Sequence, residues 1–229
     1  MSESEPLVSV VLPAHDEAAT IAEVVRGCLE HTRAPREVLV IDDGSSDRTA
    51  EIAGEAGAET VRLWPNRGKG AAIREALAHV RGEIVILLDA DGQDEPADIP
   101  RLLAALEPGV DLVIGSRFLG TFERGAISAI NKAGTMAINN LFNLAFGARV
   151  TDTQAGFRAL RTETLRQLAL NARHYDVETE MLCQVVGRGG RVVEVPVTRR
   201  SREHGSTDFS RIRDGLRIVK RIAQTRLGL

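Results

Sequence analysis

Short β-branched and Leu-rich runs alternate with helical patterns through the first half of the chain. The runs Leu7–Leu12, Val38–Ile41, Thr60–Leu63, Ile84–Leu88 and Leu112–Ile114 read as strands. Helical periodicity fills the stretches near 17–31, 48–57, 69–80 and 98–106, the second opened by the cap candidates Ser45, Ser46 and Asp47. Strands and helices in this alternation predict βαβ units and a mostly parallel sheet. Ile84 to Leu88 is apolar at every position, as expected of a central strand covered on both faces.

The second half is less regular. A long, weakly charged helix is predicted over about 126–146, then a loop and short strand around Thr151–Leu160. A helix near 177–187, a strand over Arg191–Val197 and a last helix from about 209 follow. With 229 residues, 43% hydrophobic and 27% charged, and no repeat or interdomain linker, the chain reads as a single domain over 1–229. Residues 1–6 read as a flexible start without the order of a signal peptide. Residues 126–148 come nearest to a membrane span, but Asn131, Asn139, Asn140 and Asn143 would each be costly in hydrocarbon. These features read as a soluble, cytoplasmic-type protein. Cys28 and Cys183 lie among apolar neighbours and read as buried reduced thiols.

A net charge of −3 argues against nucleic-acid binding, yet it conceals an asymmetry. Residues 199–229 hold nine Arg and Lys against three acids, and the remaining 198 residues carry a net −9. An acidic body with a basic tail suggests an anionic partner for the tail.

Ligands of open parallel sheets bind beyond the carboxyl ends of the strands. Those ends here read Pro13-Ala-His-Asp-Glu17, Asp42-Asp-Gly-Ser-Ser46 and Asp89-Ala-Asp-Gly-Gln93. Crowded carboxylates call for a cation or for donors from a ligand, and oxygen-only side chains suit a hard ion such as Mg²⁺ or Mn²⁺. Asp-Asp-Gly-Ser or Asp-x-Asp alone is an ordinary turn; the joint placement after consecutive strands is the signal.

The combination resembles family 2 glycosyltransferases of the GT-A nucleotide-diphospho-sugar transferase fold. The resemblance rests on Val8-Ser-Val-Val-Leu-Pro13-Ala-His-Asp-Glu17, Val40-Ile-Asp-Asp43-Gly-Ser-Ser-Asp47-Arg-Thr49 and Leu88-Asp-Ala-Asp91-Gly-Gln93. Gly115-Ser-Arg117-Phe, Ile130-Asn-Lys132, Asp152-Thr-Gln-Ala-Gly156-Phe-Arg158, Glu178-Thr-Glu180 and Glu194-Val-Pro-Val197 with Arg202-Glu-His-Gly205 resemble the polyprenyl-phosphate branch. That branch includes dolichol-phosphate mannose synthase and bacterial polyprenyl-phosphate glucosyltransferases.

The resemblance implies an α/β, Rossmann-like, mostly parallel sheet flanked by helices. It also implies inverting transfer of mannose or glucose from a donor such as GDP-mannose or UDP-glucose to polyprenyl or dolichyl phosphate. By position, Pro13, His15, Glu17, Ile41 and Asp43 would form the nucleotide wall, with Asp43 taking a base N–H and Ala90 against the ribose. Asp91 and Gln93 would hold Mg²⁺ or Mn²⁺ beside Asp89, while Arg117, Lys132 and Arg202 would line the phosphate region. The branch usually continues Gly-x-Ser-Lys, whereas this chain reads Gly205-Ser-Thr-Asp208. One phosphate contact would then fall to Arg211, Arg200 or Lys69.

A lipid phosphate reaches the site already anionic, so this reading needs cations and no carboxylate base. The alternative, a soluble enzyme with a hydroxyl acceptor, needs a base such as Asp152. Nucleotidyl transfer on this fold is disfavoured by the lack of a Gly-rich Lys signature after the first strand. A scaffold without turnover is disfavoured by intact Asp91, Gln93, Arg117 and Arg202. In the basic amphipathic helix 209–229, Ile212, Leu216, Val219, Ala223 and Leu227 share a face among Arg213, Arg217, Lys220 and Arg221. That pattern suits peripheral contact with the cytoplasmic membrane surface, or packing on the body.

Overall fold

The computed structural model describes residues 7–32, 36–204 and 211–227, with the side chains of Arg211 and Ile212 excluded. The flexible start expected at 1–6 and the Gly205 to Asp208 departure lie outside the described residues, as do any roles of the Arg211 and Ile212 side chains. Seven strands form one sheet in the order β3-β2-β1-β4-β6-β5-β7. They are β1 Val8–Ala14, β2 Arg36–Asp42, β3 Glu59–Arg62, β4 Ile84–Leu87, β5 Leu112–Phe122, β6 Arg158–Arg161 and β7 Val192–Arg199. The expected mostly parallel sheet is present. β6 alone runs antiparallel, inserted between β4 and β5.

Strand alternation sends successive side chains to two cores. Val38 and Val40 of β2 pack on one face with Ile21, Val24, Val25 and Cys28 of helix α1 (Ile21–His31). Leu39 and Ile41 pack on the other with Ala72 and Ile73 of α3 (Lys69–Ala76). Helix α2 (Thr49–Glu55) follows β2 and helix α4 (Ile99–Ala105) precedes β5, and both cysteines are buried and free.

Helix α1 starts four residues later than its periodicity predicts. The chain from Asp16 to Ala18 is tied instead to the loop after β2: the amides of Asp16, Glu17 and Ala18 donate to Ser45 Oγ, Thr49 Oγ1 and Asp47 Oδ2 at 3.0, 2.9 and 3.1 Å. Asp16 takes a left-handed φ of 53° to make this bridge, and its carboxylate accepts from the Ser46 amide at 2.7 Å. Two strand-end loops are thereby locked to each other beneath the site.

Helix α5 (Ala129–Phe146) is capped by Ser128, whose side chain accepts from the Asn131 amide at 3.2 Å, and ends at left-handed Gly147. No helix among the described residues is long and apolar enough to cross a membrane. Two of its asparagines have a structural use. Asn143 exchanges hydrogen bonds with the Val150 backbone at 2.8 and 2.9 Å, and Asn139 Oδ1 accepts from the Thr153 amide at 3.0 Å. They clamp the loop that carries Asp152.

The remaining helices are α6 (Thr162–Gln167), too short for periodicity to reveal, α7 (Val177–Gly187) and α8 (Arg211–Leu227). Asp214, Ile218 and Ile222 form the buried stripe of α8, while Leu216, Val219, Ala223 and Leu227 stay exposed.

Candidate active site

The C-terminal ends of β1, β2 and β4 open into one cleft of about 890 Å³. Pro13, His15, Glu17, Asp43, Asp89, Ala90, Asp91, Gln93, Arg117 and Arg202 all line it. Thus ten side chains spread over nearly 190 positions of sequence share one surface. Two expected members do not. Ile41 is fully buried in the α3-side core, because it still lies within β2 under α3, whereas Asp43 stands past the strand's last residue, where the cleft opens. Lys132 is not part of the lining; its Nζ lies over the Phe122 ring, 5.5 Å from the centroid.

On the nucleotide side, Asp43 accepts from the backbone amides of Arg67 and Gly68 at 2.8 and 2.6 Å, fastening the β3–α3 loop. Its carboxylate is therefore already engaged by backbone donors. His15 Nδ1 is buried without a hydrogen-bond partner, a polar group that a ligand would satisfy.

The floor of the cleft contains a salt bridge that the sequence reading left open. Lys69 Nζ sits between Asp89 and Glu178, so it is neither solvated nor free for a phosphate. Burial pulls its pKa down, but the two carboxylates outweigh that and hold it above the usual lysine range. Burial likewise favours neutral Asp89, and Lys69, Arg199 and Arg117 overcome it and keep the carboxyl below its usual range. The flanking glycines serve packing: a Cβ on Gly68 or Gly70 would collide with the 172–173 backbone, whose Arg173 carbonyl accepts from the Gly70 amide at 3.0 Å.

Arg117 is a fixed cation. Its Nε and Nη2 each donate to Asp152 at 2.7 Å, and its amide adds a third contact at 3.1 Å. Asp152 is fully buried, and Glu194 holds its loop by accepting from the Thr151 and Asp152 amides at 2.8 and 3.0 Å. With both oxygens on one guanidinium, Asp152 is poorly placed to take a proton from an acceptor.

Arg199, at the end of β7, was absent from the sequence-derived set. It donates to Asp94 at 2.7 Å and Gln93 Oε1 at 2.9 Å, and lies 3.5 Å from Asp91. Gln93 also donates to the Arg200 carbonyl at 3.1 Å, so its amide braces the tail and its oxygen faces a guanidinium. This geometry does not present Gln93 as a metal ligand. Arg200, a candidate substitute for the missing lysine, pairs with Glu23 at 3.0 Å and with Glu95.

Among the described residues, no group of three or more His, Cys, Asp or Glu side chains could hold a metal by itself. A hard ion that keeps waters and takes phosphate oxygens needs only one or two carboxylates. Asp91 supplies one, with Glu17 beside it. Burial raises the Glu17 pKa and the Asp91 charge raises it further, an excess of negative charge that a cation would relieve. The donor chemistry therefore fits Mg²⁺ or Mn²⁺ at Asp91.

On the far side, Glu180 accepts from the Asn171 and Ala172 amides at 2.9 and 2.8 Å and pairs with Arg221 at 2.9 Å. His174 also lines the cleft.

Comparison with known proteins agrees with this architecture. Residues 9–168 match the family model described as glycosyl transferase family 2. Glycosyltransferase AglJ of Haloferax volcanii is 38% identical over 210 residues, 91% of this chain and 68% of the relative. The undecaprenyl-phosphate 4-deoxy-4-formamido-L-arabinose transferase of Edwardsiella ictaluri is 31% identical over 88% of this chain, which spans only 62% of that protein's length. Glucosyl-3-phosphoglycerate synthase from Mycobacterium tuberculosis, in complex with Mn²⁺, uridine diphosphate and glucosyl-3-phosphoglycerate, superposes with a TM-score of 0.75 at 25% identity. That match covers 98% of this chain and 81% of the synthase.

Proposed function

Since the chain belongs to glycosyl transferase family 2 and has the GT-A fold, it is a glycosyltransferase, and we propose that it moves a hexose from a nucleotide diphosphate sugar to a polyprenyl phosphate, with inversion. The observation that supports this reading most is the Arg117–Asp152 pair. It commits the carboxylate that a hydroxyl acceptor would use as base and fixes a cation at the cleft instead. The undecaprenyl-phosphate transferase among the relatives supports the same acceptor class.

In this reading the walls built by Pro13, His15 and Glu17 bind the nucleoside, with Ala90 against the ribose. Asp91 would hold Mg²⁺ or Mn²⁺, which when bound supplies electrostatic stabilisation of the leaving diphosphate. Arg117 and Arg202 stabilise phosphate charge, the first as a preorganised donor fixed by Asp152. The acceptor phosphate, with a second pKa of about 6, is already dianionic near neutral pH. It needs orientation rather than deprotonation, and its oxygen attacks the anomeric carbon opposite the departing diphosphate. Lys132, beside Phe122 at the rim, is placed to meet the acceptor as it enters.

The membrane contact belongs to the same proposal. Leu216 and Leu227 of α8 are 66% and 70% exposed, and Ile130 and Leu144 of α5 are 68% and 85% exposed. Fewer cations are available there than the sequence suggests. Arg221 pairs with Asp176 and Glu180, and Arg217 with Asp214. Apolar contact at the cytoplasmic face, with Lys220 exposed beside it, would thus supply most of the attachment.

The synthase complex with glucosyl-3-phosphoglycerate supports the second reading, a small phosphorylated acceptor without a lipid. Incubating the protein with Mn²⁺, UDP- and GDP-hexoses and either polyprenyl phosphate in vesicles or 3-phosphoglycerate separates the two. Transfer to the lipid phosphate supports the proposal, and transfer confined to the soluble acid contradicts it.

A further inference from the structure

Asp91 is surrounded by donors from its own chain. Its Oδ1 accepts from the Gln93 amide at 3.0 Å, and its Oδ2 accepts from Arg202 Nη2 with Arg199 Nη2 3.5 Å away. The other terminal nitrogen of Arg202, Nη1, lies 3.6 Å from Glu17 Oε1. One guanidinium thus spans the two carboxylates to which a divalent ion would be drawn, and Asp91 is only 8% exposed. Both guanidinium groups sit on the same oxygen, so an ion reaching Asp91 Oδ2 competes with them for it.

The three donors differ in how easily they can leave. The Gln93 amide is backbone, fixed in the turn that Asp91 itself closes. Arg199 is anchored independently by Asp94 and Gln93, and its side chain is 12% exposed. Arg202 is the most exposed of the cations on Asp91, at 22%, and among the described residues its ion pairs are to Asp91 and Glu17 alone. It can be released without dismantling anything else.

We propose that Arg202 is an exchangeable internal cation: it occupies Asp91 and Glu17 until a metal–diphosphate complex displaces it, so that the ion enters with the nucleotide and not ahead of it. An ion arriving alone would free the guanidinium beside Arg199 with no new counter-charge. An ion arriving with a diphosphate brings the anion that the displaced guanidinium can bind. Nucleotide and metal are then positively coupled through one side chain, and the coupling is reciprocal. If the Arg202–Asp91 contact is formed about 90% of the time or more, it weakens the apparent affinity for the free ion about tenfold or more.

This inference rests on the divalent-ion reading given above, and the experiment keeps the two apart. Mn²⁺ binding to the full chain is followed by the paramagnetic resonance signal of the free ion, alone and with UDP or GDP. Arg202→Gln should bind Mn²⁺ alone at least about tenfold more tightly than the unaltered protein, and nucleotide should enhance its Mn²⁺ affinity less. Arg202→Lys, which keeps a charge but cannot span both carboxylates, should fall between them. Arg213→Gln removes the same charge from another side chain lining the cleft and should change Mn²⁺ affinity less than about twofold, the size of a screened, exposed charge. Equal tightening by Arg213→Gln and Arg202→Gln, or none by Arg202→Gln and Arg202→Lys, overturns the exchange while leaving the metal site standing. Failure of every protein to bind Mn²⁺ even with nucleotide overturns both.

Discussion

Asp152 receives two parallel hydrogen bonds from Arg117, each 2.7 Å long, in a position where the carboxylate has no exposure to solvent. The pair links β5 to the loop that Asn139, Asn143 and Glu194 hold from three directions, so the cation at the cleft inherits the rigidity of the sheet.

Asp152→Asn should leave the Arg117 charge buried and half-partnered. Breaking a buried pair costs about 3 kcal/mol, which for a chain of this size lowers the melting temperature by roughly 6–12 °C. Turnover should fall about 100-fold as Arg117 loses its orientation, because small misplacements of a positioned group cost that much. Calorimetry and initial rates measure the two effects separately.

The Lys69 cluster sets a pH response. Its raised pKa means that the lysine's contribution is complete below the ordinary lysine pKa and is lost only as pH rises through the higher folded value. Asp89, held low, contributes above the ordinary carboxylate pKa and loses that contribution as pH falls through its lowered folded value. Between about pH 5 and 9 the unaltered protein should therefore show no transition from this pair. Lys69→Met leaves buried Asp89 facing Glu178 with only Arg199 and Arg117 to offset burial, so the Asp89 pKa should rise, and stability should fall as pH rises toward that raised folded value. Melting temperatures measured from pH 4 to 8 test the reversal.

On α8 the inward and outward cations should separate by assay. Arg221→Ala removes the partner of buried Asp176 and Glu180 and should cost about 2–3 kcal/mol, read from chemical denaturation. Leu216→Asp, on the exposed stripe, should leave stability within about 0.5 kcal/mol while reducing sedimentation with anionic vesicles.

Burial lifts the thiols of both Cys28 and Cys183 to about 12. A thiol reagent at pH 8 should label neither in the folded protein within the time that denaturant exposes both. Mass spectrometry of the two samples checks this.

The sequence made the strand ends legible because local patterns determine them: an apolar run stops, a turn follows, and the acids stand where the chain leaves the sheet. The site residues on β1, β2 and β4 belong to that class. Ile41 was misassigned because a motif names neighbours along the chain, whereas the point at which the strand leaves the core decides which of them reach the cleft: Ile41 is still covered by α3, and Asp43 is past the end of β2. Arg199 was missed because its partners Asp94 and Gln93 are more than 100 positions away and no local pattern joins them. The insertion of antiparallel β6 between β4 and β5 escaped for a related reason: a four-residue strand carries no signal of the neighbour it will choose. On α8 the apolar stripe read from sequence is the exposed one, since Asp214 and two isoleucines turned 100° or more away make the packing face.

The central claim is that a fixed cation serves a phosphate acceptor which needs no base. One competition assay addresses it, with labelled donor, Mn²⁺, and equimolar polyprenyl phosphate and the corresponding polyprenol in the same vesicles. Label recovered in a lipid-linked glycosyl phosphate, with the alcohol unmodified, is the predicted result. Label recovered in the glycosylated alcohol, with the lipid phosphate untouched, would contradict it.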